Sequence, residues 1–298
     1  MNIYDCFTYF DEDMVLDLRL NVLNKYVKKF IISEATYTHK GTKKDLRFDI
    51  NKFKKFKDKI EYVVVDKEPP NILTLNSGEN IAEKDRKIIL NAYARENFQR
   101  DCLQDGLLEA NQNDLIIISD VDEIPNLEAI NFNKIDNNLI IFNQMMFYYK
   151  FNLVYENFNW HGSRACLKKK LISPQWIRNI KSKKYSPFRL DVFFSKKKYT
   201  NISFINNGGW HFTNIKTPAE IQMKLSNFLH HHDYEKSNLQ TSDLKDFIEK
   251  KVVMYDHSLN MGPKEYRWSG KKTLKKIQNN FLPTYLVSNL EKYKKWLD

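Results

Sequence analysis

The run Leu115-Ile116-Ile117-Ile118-Ser119-Asp120-Val121-Asp122-Glu123-Ile124-Pro125 constrains the fold of this chain more than any other segment. Four consecutive aliphatic residues suit a strand covered on both faces, as in the centre of a parallel sheet, and Pro125 cannot continue the hydrogen-bond ladder. Asp120 and Asp122 therefore emerge where the strand gives out. A period of two lets both side chains point to one side, and carboxylate oxygens are the hard ligands that Mg²⁺ or Mn²⁺ prefers. An isolated Asp-X-Asp is also an ordinary solvated turn, or a helix N-cap followed by acidic first-turn residues. The aliphatic strand and the third carboxylate, Glu123, favour a metal site here, because like charges packed so closely repel unless a cation or hydrogen bonds compensate.

Apolar runs alternate with amphipathic stretches through the first half, which predicts a mostly parallel sheet with helices on both faces. Strands are expected over 3–10, 30–33 and 60–65 and in the acidic run. Helices are expected over 11–24, capped by Asp11 to Asp13, between the strands at 30–33 and 60–65, and over 81–110, giving the order strand, helix, strand, helix, strand, helix, strand. In the second half, strands are expected over 139–149, 164–168 and 202–205. The last leads into Asn206-Asn207-Gly208-Gly209-Trp210-His211-Phe212. From Pro218 the chain reads as helical, with Ile221, Leu225, Phe228 and Leu229 on one face and a further helix over 242–253. The 298 residues, 42% hydrophobic and without an internal repeat or low-complexity linker, suit one continuous α/β domain with a helical C-terminal part.

The net charge of +11 is concentrated in Lys168-Lys169-Lys170, Lys181 to Lys184 and Lys196-Lys197-Lys198. Such clusters suit nucleic acid, an anionic membrane surface met peripherally, or a phosphorylated substrate. They match no nucleic-acid-binding motif, so nucleic acid is not expected as a partner, and a solvated face is the plain reading. Cys6, Cys102 and Cys166 show no Cys-X-X-Cys spacing, which argues against a disulfide framework or a zinc site and for a reducing compartment. No stretch approaches the roughly 20 apolar residues of a membrane span, and no signal segment opens the chain, so a soluble, cytoplasmic protein is expected.

Several pieces, in order, resemble glycosyltransferase family 17, typified by the transferase that adds the bisecting GlcNAc to N-glycans. They are Tyr4-Asp5-Cys6-Phe7 with Leu18-Arg19-Leu20; Glu34 with Gly41, Lys44, Leu46 and Phe48; Glu96 with Gln99-Arg100; Ser119 to Pro125; Gly209-Trp210-His211-Phe212; Thr217-Pro218 with Ile221 and Lys224; Phe228 with His230; and Leu282-Pro283. The resemblance implies a glycosyltransferase A-type, Rossmann-like mixed sheet flanked by helices. It also implies a nucleotide-sugar donor, UDP-GlcNAc first, and an inverting transfer assisted by Mn²⁺ or Mg²⁺. On that basis residues 1–125 form the nucleotide-binding half, 126–215 the acceptor-side half and 216–298 the helical C-terminal part. Animal members carry a membrane anchor and a lumenal stem. This chain begins almost at once with its first strand, so the expected acceptor is a microbial or viral glycan or glycolipid made at the cytoplasmic face.

The chemistry assigns roles. Transfer from a UDP-sugar puts negative charge on the departing diphosphate, which a metal held by Asp122, with Asp120 directly or through water and ribose, stabilises. The resemblance adds His211 as a third ligand; taken alone it also suits a buried histidine beneath a Gly-rich turn. Gly208 and Gly209 permit close backbone approach, and Trp210 is expected over the sugar or base, or in the core. Glu96 and Arg100 stand at helical i, i+4 spacing, an ordinary surface pair, yet with Gln99 the resemblance puts them at the donor site. Glu34, at a strand's carboxyl end, is expected to meet uracil or ribose, and Lys44 the diphosphate. The base of an inverting transfer is not singled out. Glu123 is the first candidate, with bracing as its alternative, and Asp191 and Asp233 are weaker ones. His230-His231-His232 cannot converge on one ion, since successive helical residues diverge by about 100°. Two other classes compete: a metal-dependent phosphodiesterase or nuclease using the same carboxylates, and a non-catalytic basic binder of nucleic acid or membrane surfaces.

Overall fold

The structure, a computed structural model, describes residues 1–132, 138–257, 268 and 272–298. The first half runs β1 (Ile3–Thr8), α1 (Asp13–Leu23), β2 (Lys29–Ala35), β3 (Ile60–Val65), α2 (Ile81–Asp101), β4 (Leu115–Asp120) and β5 (Glu123–Pro125). The second half continues with β6 (Leu139–Tyr148), β7 (Leu153–Leu167), α3 (Pro174–Asn179), α4 (Leu190–Phe193), β8 (Ile202–Ile205) and β9 (Gly209–Thr213). Then come α5 (Pro218–Leu225), α6 (His231–Ser237), α7 (Thr241–Glu249), β10 (Lys275–Lys276), α8 (Thr284–Val287) and α9 (Leu290–Tyr293).

The strands form one ten-stranded mixed sheet, β3-β2-β1-β4-β7-β6-β9-β5, with β8 beside β6 and β10 beside β7. The pairs β3·β2, β2·β1 and β1·β4 are parallel; β7 joins β4 antiparallel and starts the mixed half. After β3 the chain crosses back to lay β4 on the other side of β1, so the strand order reverses between β1 and β4. Clefts at such a reversal collect ligands at the strands' carboxyl ends.

Burial follows the period of two. Ile3, Phe7, Leu115 and Ile117 pack with Leu16 and Leu20 of α1 on one face, whereas Tyr4, Cys6, Ile116 and Ile118 pack with Leu103, Leu107 and Ile177 on the other. A third cluster joins Tyr148, Tyr149 and Leu153 to Ile221, Leu225 and Leu244, seating the C-terminal helices on β6 and β7. Among the described residues, no helix is long and apolar enough to cross a membrane.

Several expected elements differ. Between β2 and β3 the chain forms a 3-10 segment, Ile50–Lys59, instead of an α-helix, because its apolar anchors Phe53 and Phe56 are three apart among lysines. The helix expected over 81–110 ends at Asp101 and gives way to a 3-10 turn, Cys102–Leu107. There Gly106 lies so close to Ile31 that a Cβ would stand 2.3 Å from its side chain. The strand expected over 164–168 is the end of the much longer β7. Pro125 sits at the last position of β5, a strand at the sheet's edge where the missing N–H costs least.

Asp5, fully buried on β1, is held bidentately by Arg19 of α1, with Nε–Oδ2 2.8 Å and Nη2–Oδ1 2.5 Å. The remaining Nη1 donates to the carbonyls of Asp120, Val121 and Glu123 at 3.2, 3.3 and 2.5 Å. One guanidinium thus joins the first strand, the first helix and the turn after β4. Arg19→Met leaves a buried carboxylate and three carbonyls short of a donor, so a loss of about 3–5 kcal/mol is expected. Lys is a poor replacement because it lacks the fork geometry. Urea titration with an unchanged slope checks this; a loss below about 1 kcal/mol would remove Arg19 from this linking role.

Candidate functional site

A cavity of about 430 Å³ opens at the carboxyl ends of β1 and β4. Thr8 and Asp120 lie side by side there in the parallel register. The strand ends at Asp120, and Val121-Asp122 form a turn, so the period of two stops between the two aspartates. They take different partners. Asp120 shares the face of Ile116 and Ile118, which α2 and α3 cover, and it meets the arginines those helices carry. Arg100 Nη2 lies 2.9 Å from Oδ1 and Arg178 Nη2 3.0 Å from Oδ2. Asp122 turns the other way, with Oδ1 3.4 Å from His211 Nε2 and Oδ2 3.5 Å from Lys224 Nζ.

The charges of the acidic turn are therefore compensated largely from within the protein. Burial raises the pKa of Asp120, but Arg178 and Arg100 outweigh it and bring the carboxyl from 3.8 to about 2. For Asp122 burial is likewise overcome, by Lys224 and His211, and its carboxyl is held well below the usual range. Burial lowers the pKa of Lys224, while Glu12, 3.1 Å away, and Asp122 raise it further, so the ammonium persists. Among the described residues, no three His, Cys, Asp or Glu side chains converge as a metal site. Each oxygen of Asp120 already accepts a guanidinium bond, whereas Asp122 and His211, the other members of the expected metal set, have no arginine partner among the described residues.

His211 comes from β9, whose neighbour β5 puts Glu123 opposite it in register. Its ring stacks on Trp160 of β7 at 4.8 Å between centroids, and its Nδ1 is buried with no protein partner. Trp160 is fixed by donating from Nε1 to Glu123 Oε1 at 2.6 Å. Glu123 is 0% exposed and also accepts from Arg178 Nη1 at 2.7 Å, Arg178 Nη2 at 3.0 Å and the Asp120 N–H at 3.0 Å. It lies behind the cavity wall with both oxygens occupied. This corrects the expectation of Glu123 as the base: it braces Trp160, and through it His211.

Two further expectations are corrected. Trp210 follows the alternation of β9 to the opposite side from His211, where Nε1 donates to the Phe281 carbonyl at 2.7 Å, away from the cavity. Glu34 is fully buried and accepts from the backbone N–H groups of Arg47 and Phe48 at 2.8 and 3.0 Å, from Tyr62 Oη at 2.9 Å and from Lys44 Nζ. It anchors the loop around Lys44 and has no face left for a nucleotide. Gly209 answers to strand packing: with φ +128° and the Ile124 carbonyl 2.1 Å from any Cβ, it lets β9 approach β5.

Lys44, Glu96, Gln99 and Arg100 do line the cavity, with Arg100 also paired to Glu96 at 2.9 Å. Gln99 donates to the Ser33 carbonyl at 3.1 Å and holds His39 Nε2 at 3.2 Å. His39, not singled out by sequence, keeps a buried Nδ1 without a protein partner, and burial pulls its pKa below 6.5. Asp191 lies outside this cavity and pairs with Arg189 and Lys198 on an exposed loop, and Asp233 lies near His230 on α6. Arg178, Trp160 and His39 were missed because each is isolated in sequence, and Glu12 because Asp11-Glu12-Asp13 reads as a helix cap. Lys224 appeared in the resemblance without a role.

The sign of the Asp120 shift fixes an acid limb. A carboxyl depressed in the folded state contributes stability that is complete above its unfolded pKa near 3.9 and is lost as pH falls toward about 2. Thermal melts between pH 5 and 2 are expected to fall steeply below pH 4, and Asp120→Asn is expected to flatten that fall. An unchanged pH profile in the variant would remove the Asp120 ion pairs as its source.

A search of curated proteins found no match to this chain. The model of Glycosyltransferase family 17 matches residues 1–298, the whole chain, and the protein belongs to that family.

Proposed function

We propose that this glycosyltransferase moves GlcNAc from UDP-GlcNAc to a hydroxyl of a glycan or glycolipid, with inversion, in an active site of glycosyltransferase A type. One observation carries the reading. The cavity at the strand-order reversal is lined by Asp122, His211, Lys224 and Arg100, where a diphosphate would find both cationic partners and a place for a divalent ion. In this reading one catalytic domain works through three parts. Residues 1–125 hold the nucleotide, 126–215 bring His211 and Trp160 to the acceptor side, and 216–298 supply Lys224.

The family implies Mn²⁺ or Mg²⁺, and the donor set suits such an ion. Asp122 and His211 stand within 3.4 Å of each other, and such ions take one or two protein ligands and leave positions for phosphate oxygens. An imidazole ligand tilts the preference toward Mn²⁺. The ion would supply Lewis-acid stabilisation of the departing diphosphate. The chain's own residues do the rest. Lys224, kept protonated by Glu12, presents positive charge beside Asp122 in a largely dry wall, where it is worth more than in water. Arg100 and Arg178 fix Asp120 and stop the acidic turn from swinging. Glu123 orients Trp160, which sets the plane of His211. The base for the acceptor hydroxyl is then sought among the carboxylates that line the cavity, Glu12, Glu96, Asp120 and Asp122, not at Glu123.

Release of UDP from UDP-GlcNAc, with and without Mn²⁺ and across a panel of glycan acceptors, tests the reading. Asp122→Asn is expected to lower kcat by about 10²- to 10³-fold when assayed well below its own Tm, which should itself fall because Lys224 and His211 lose a charged partner. His211→Ala should weaken the Mn²⁺-induced rise in Tm as well as the rate. Full turnover in Asp122→Asn, or nucleic-acid cleavage in place of UDP release, would overturn the assignment.

Glu123→Ala separates bracing from chemistry. By leaving Arg178 buried and short of a partner it is expected to cost about 3–5 kcal/mol of stability. A stable Glu123→Ala protein that had lost all activity would return Glu123 to the reaction.

A further inference from the structure

Residues 181–197 form a loop whose neck is tied and whose tip is apolar. At the neck the Lys181 N–H donates to the Lys197 carbonyl at 2.7 Å, and Trp176 Nε1 donates to the Lys196 carbonyl at 3.2 Å. Just before the neck, Arg164 of β7 donates to the carbonyls of Ile177, Arg178 and Ile180 at 2.9, 2.5 and 2.5 Å and to Ser182 Oγ at 3.1 Å. Val192 turns inward, while Phe188, Leu190, Phe193 and Phe194 are between 73% and 91% exposed. Water-facing aromatics of that size, held out by a fixed neck, are costly in solution and call for a partner.

The charge around them says which partner. Lys181, Lys183, Lys184, Arg189, Lys196, Lys197 and Lys198 surround the apolar tip, against the single carboxylate of Asp191. Arg189 and Lys198 both pair with Asp191 and lie near the ring of Tyr185, which leaves the other lysines as the outward cations. Large apolar side chains ringed by lysines match the interface of an anionic bilayer, where rings enter the acyl boundary and ammonium groups meet headgroup phosphates. A nucleic acid would use the lysines but leave the aliphatic Leu190 without a function. We infer that this loop docks the enzyme on an anionic lipid surface. The segment that leads into the neck carries Arg178, which holds Asp120 of the cavity wall. The inference stands apart from the donor and metal assignments.

Co-sedimentation of the whole chain with vesicles, without nucleotide or metal, tests it. Binding is expected to vesicles containing about one third phosphatidylglycerol, not to pure phosphatidylcholine, and to weaken as salt rises. Phe193→Ser with Phe194→Ser should lower the partition by about tenfold or more, and Lys196→Glu with Lys197→Glu should lower it as well. In a Phe194→Trp variant the emission should shift to the blue on anionic vesicles. All substituted residues are exposed apart from their backbone contacts, so an unchanged Tm certifies the fold of each variant. Equal affinity for both vesicle types, or no loss in the Phe double variant, would overturn the inference. So would a wild-type dimer in sedimentation velocity that the Phe variant dissolves without any vesicle binding.

Discussion

The Arg19 guanidinium is the constraint on which the rest of the site depends. Its five N–H donors are divided between a buried carboxylate on β1 and the carbonyls of the turn that follows β4. A buried ion pair of this kind contributes little net stability compared with an apolar pair, but removing one partner is expensive. Its value here is geometric. The turn has no regular ladder of its own between Asp120 and Glu123, and Arg19 gives its carbonyls a fixed donor, with the Phe7 ring 4.5 Å beneath. Asp120, Asp122 and Glu123 can therefore leave that turn in three defined directions.

Those directions explain how three neighbouring carboxylates are accommodated side by side. Each has its own cationic or donor partners: two arginines for Asp120, His211 and Lys224 for Asp122, Arg178 and Trp160 for Glu123. Carboxylates packed this closely repel one another unless cations or donors compensate. The protein meets that repulsion with its own side chains, and of the three Asp122 has the longest contacts, 3.4 and 3.5 Å. The same arrangement gives Glu123 a structural role despite its place in the motif. Its carboxylate joins the helix that carries Arg178 to the strand that carries Trp160, and the stacked His211 ring inherits its position from both.

Much of the fold was legible because the strands obey simple patterns. The aliphatic run, the 60–65 strand and the 202–205 strand came out as expected, since runs of β-branched and aliphatic residues mark a strand both where it is buried, as in β4, and where it is half-buried, as in β3 and β8. The site was legible only where local sequence decides. Asp122, Lys44 and the Glu96-Gln99-Arg100 helix face do line the cavity, yet Glu34 and Trp210 do not. For Glu34 the position at a strand's carboxyl end was right. Its four donors come from residues 44–62, and no periodicity announces such long-range satisfaction. For Trp210 the alternation of β9 was sufficient to place it opposite His211, once the segment is known to be a strand and not a Gly-rich turn.

Arg178 shows the limit most clearly. In Ile177-Arg178-Asn179 nothing separates it from a surface residue, and α3 is too short for an amphipathic pattern to be read. It reaches Asp120 and Glu123 because Arg164, from the antiparallel strand beside β4, binds the carbonyls at the end of α3 and sets that helix against the sheet. The antiparallel half of the sheet thus does more than extend the parallel half. By placing β7 next to β4 it brings one strand's Arg164 to the helix that carries Arg178 and its Trp160 to Glu123 and His211, and it is this pairing, not the Asp-X-Asp motif itself, that turns a common tripeptide into a fixed part of the cavity wall.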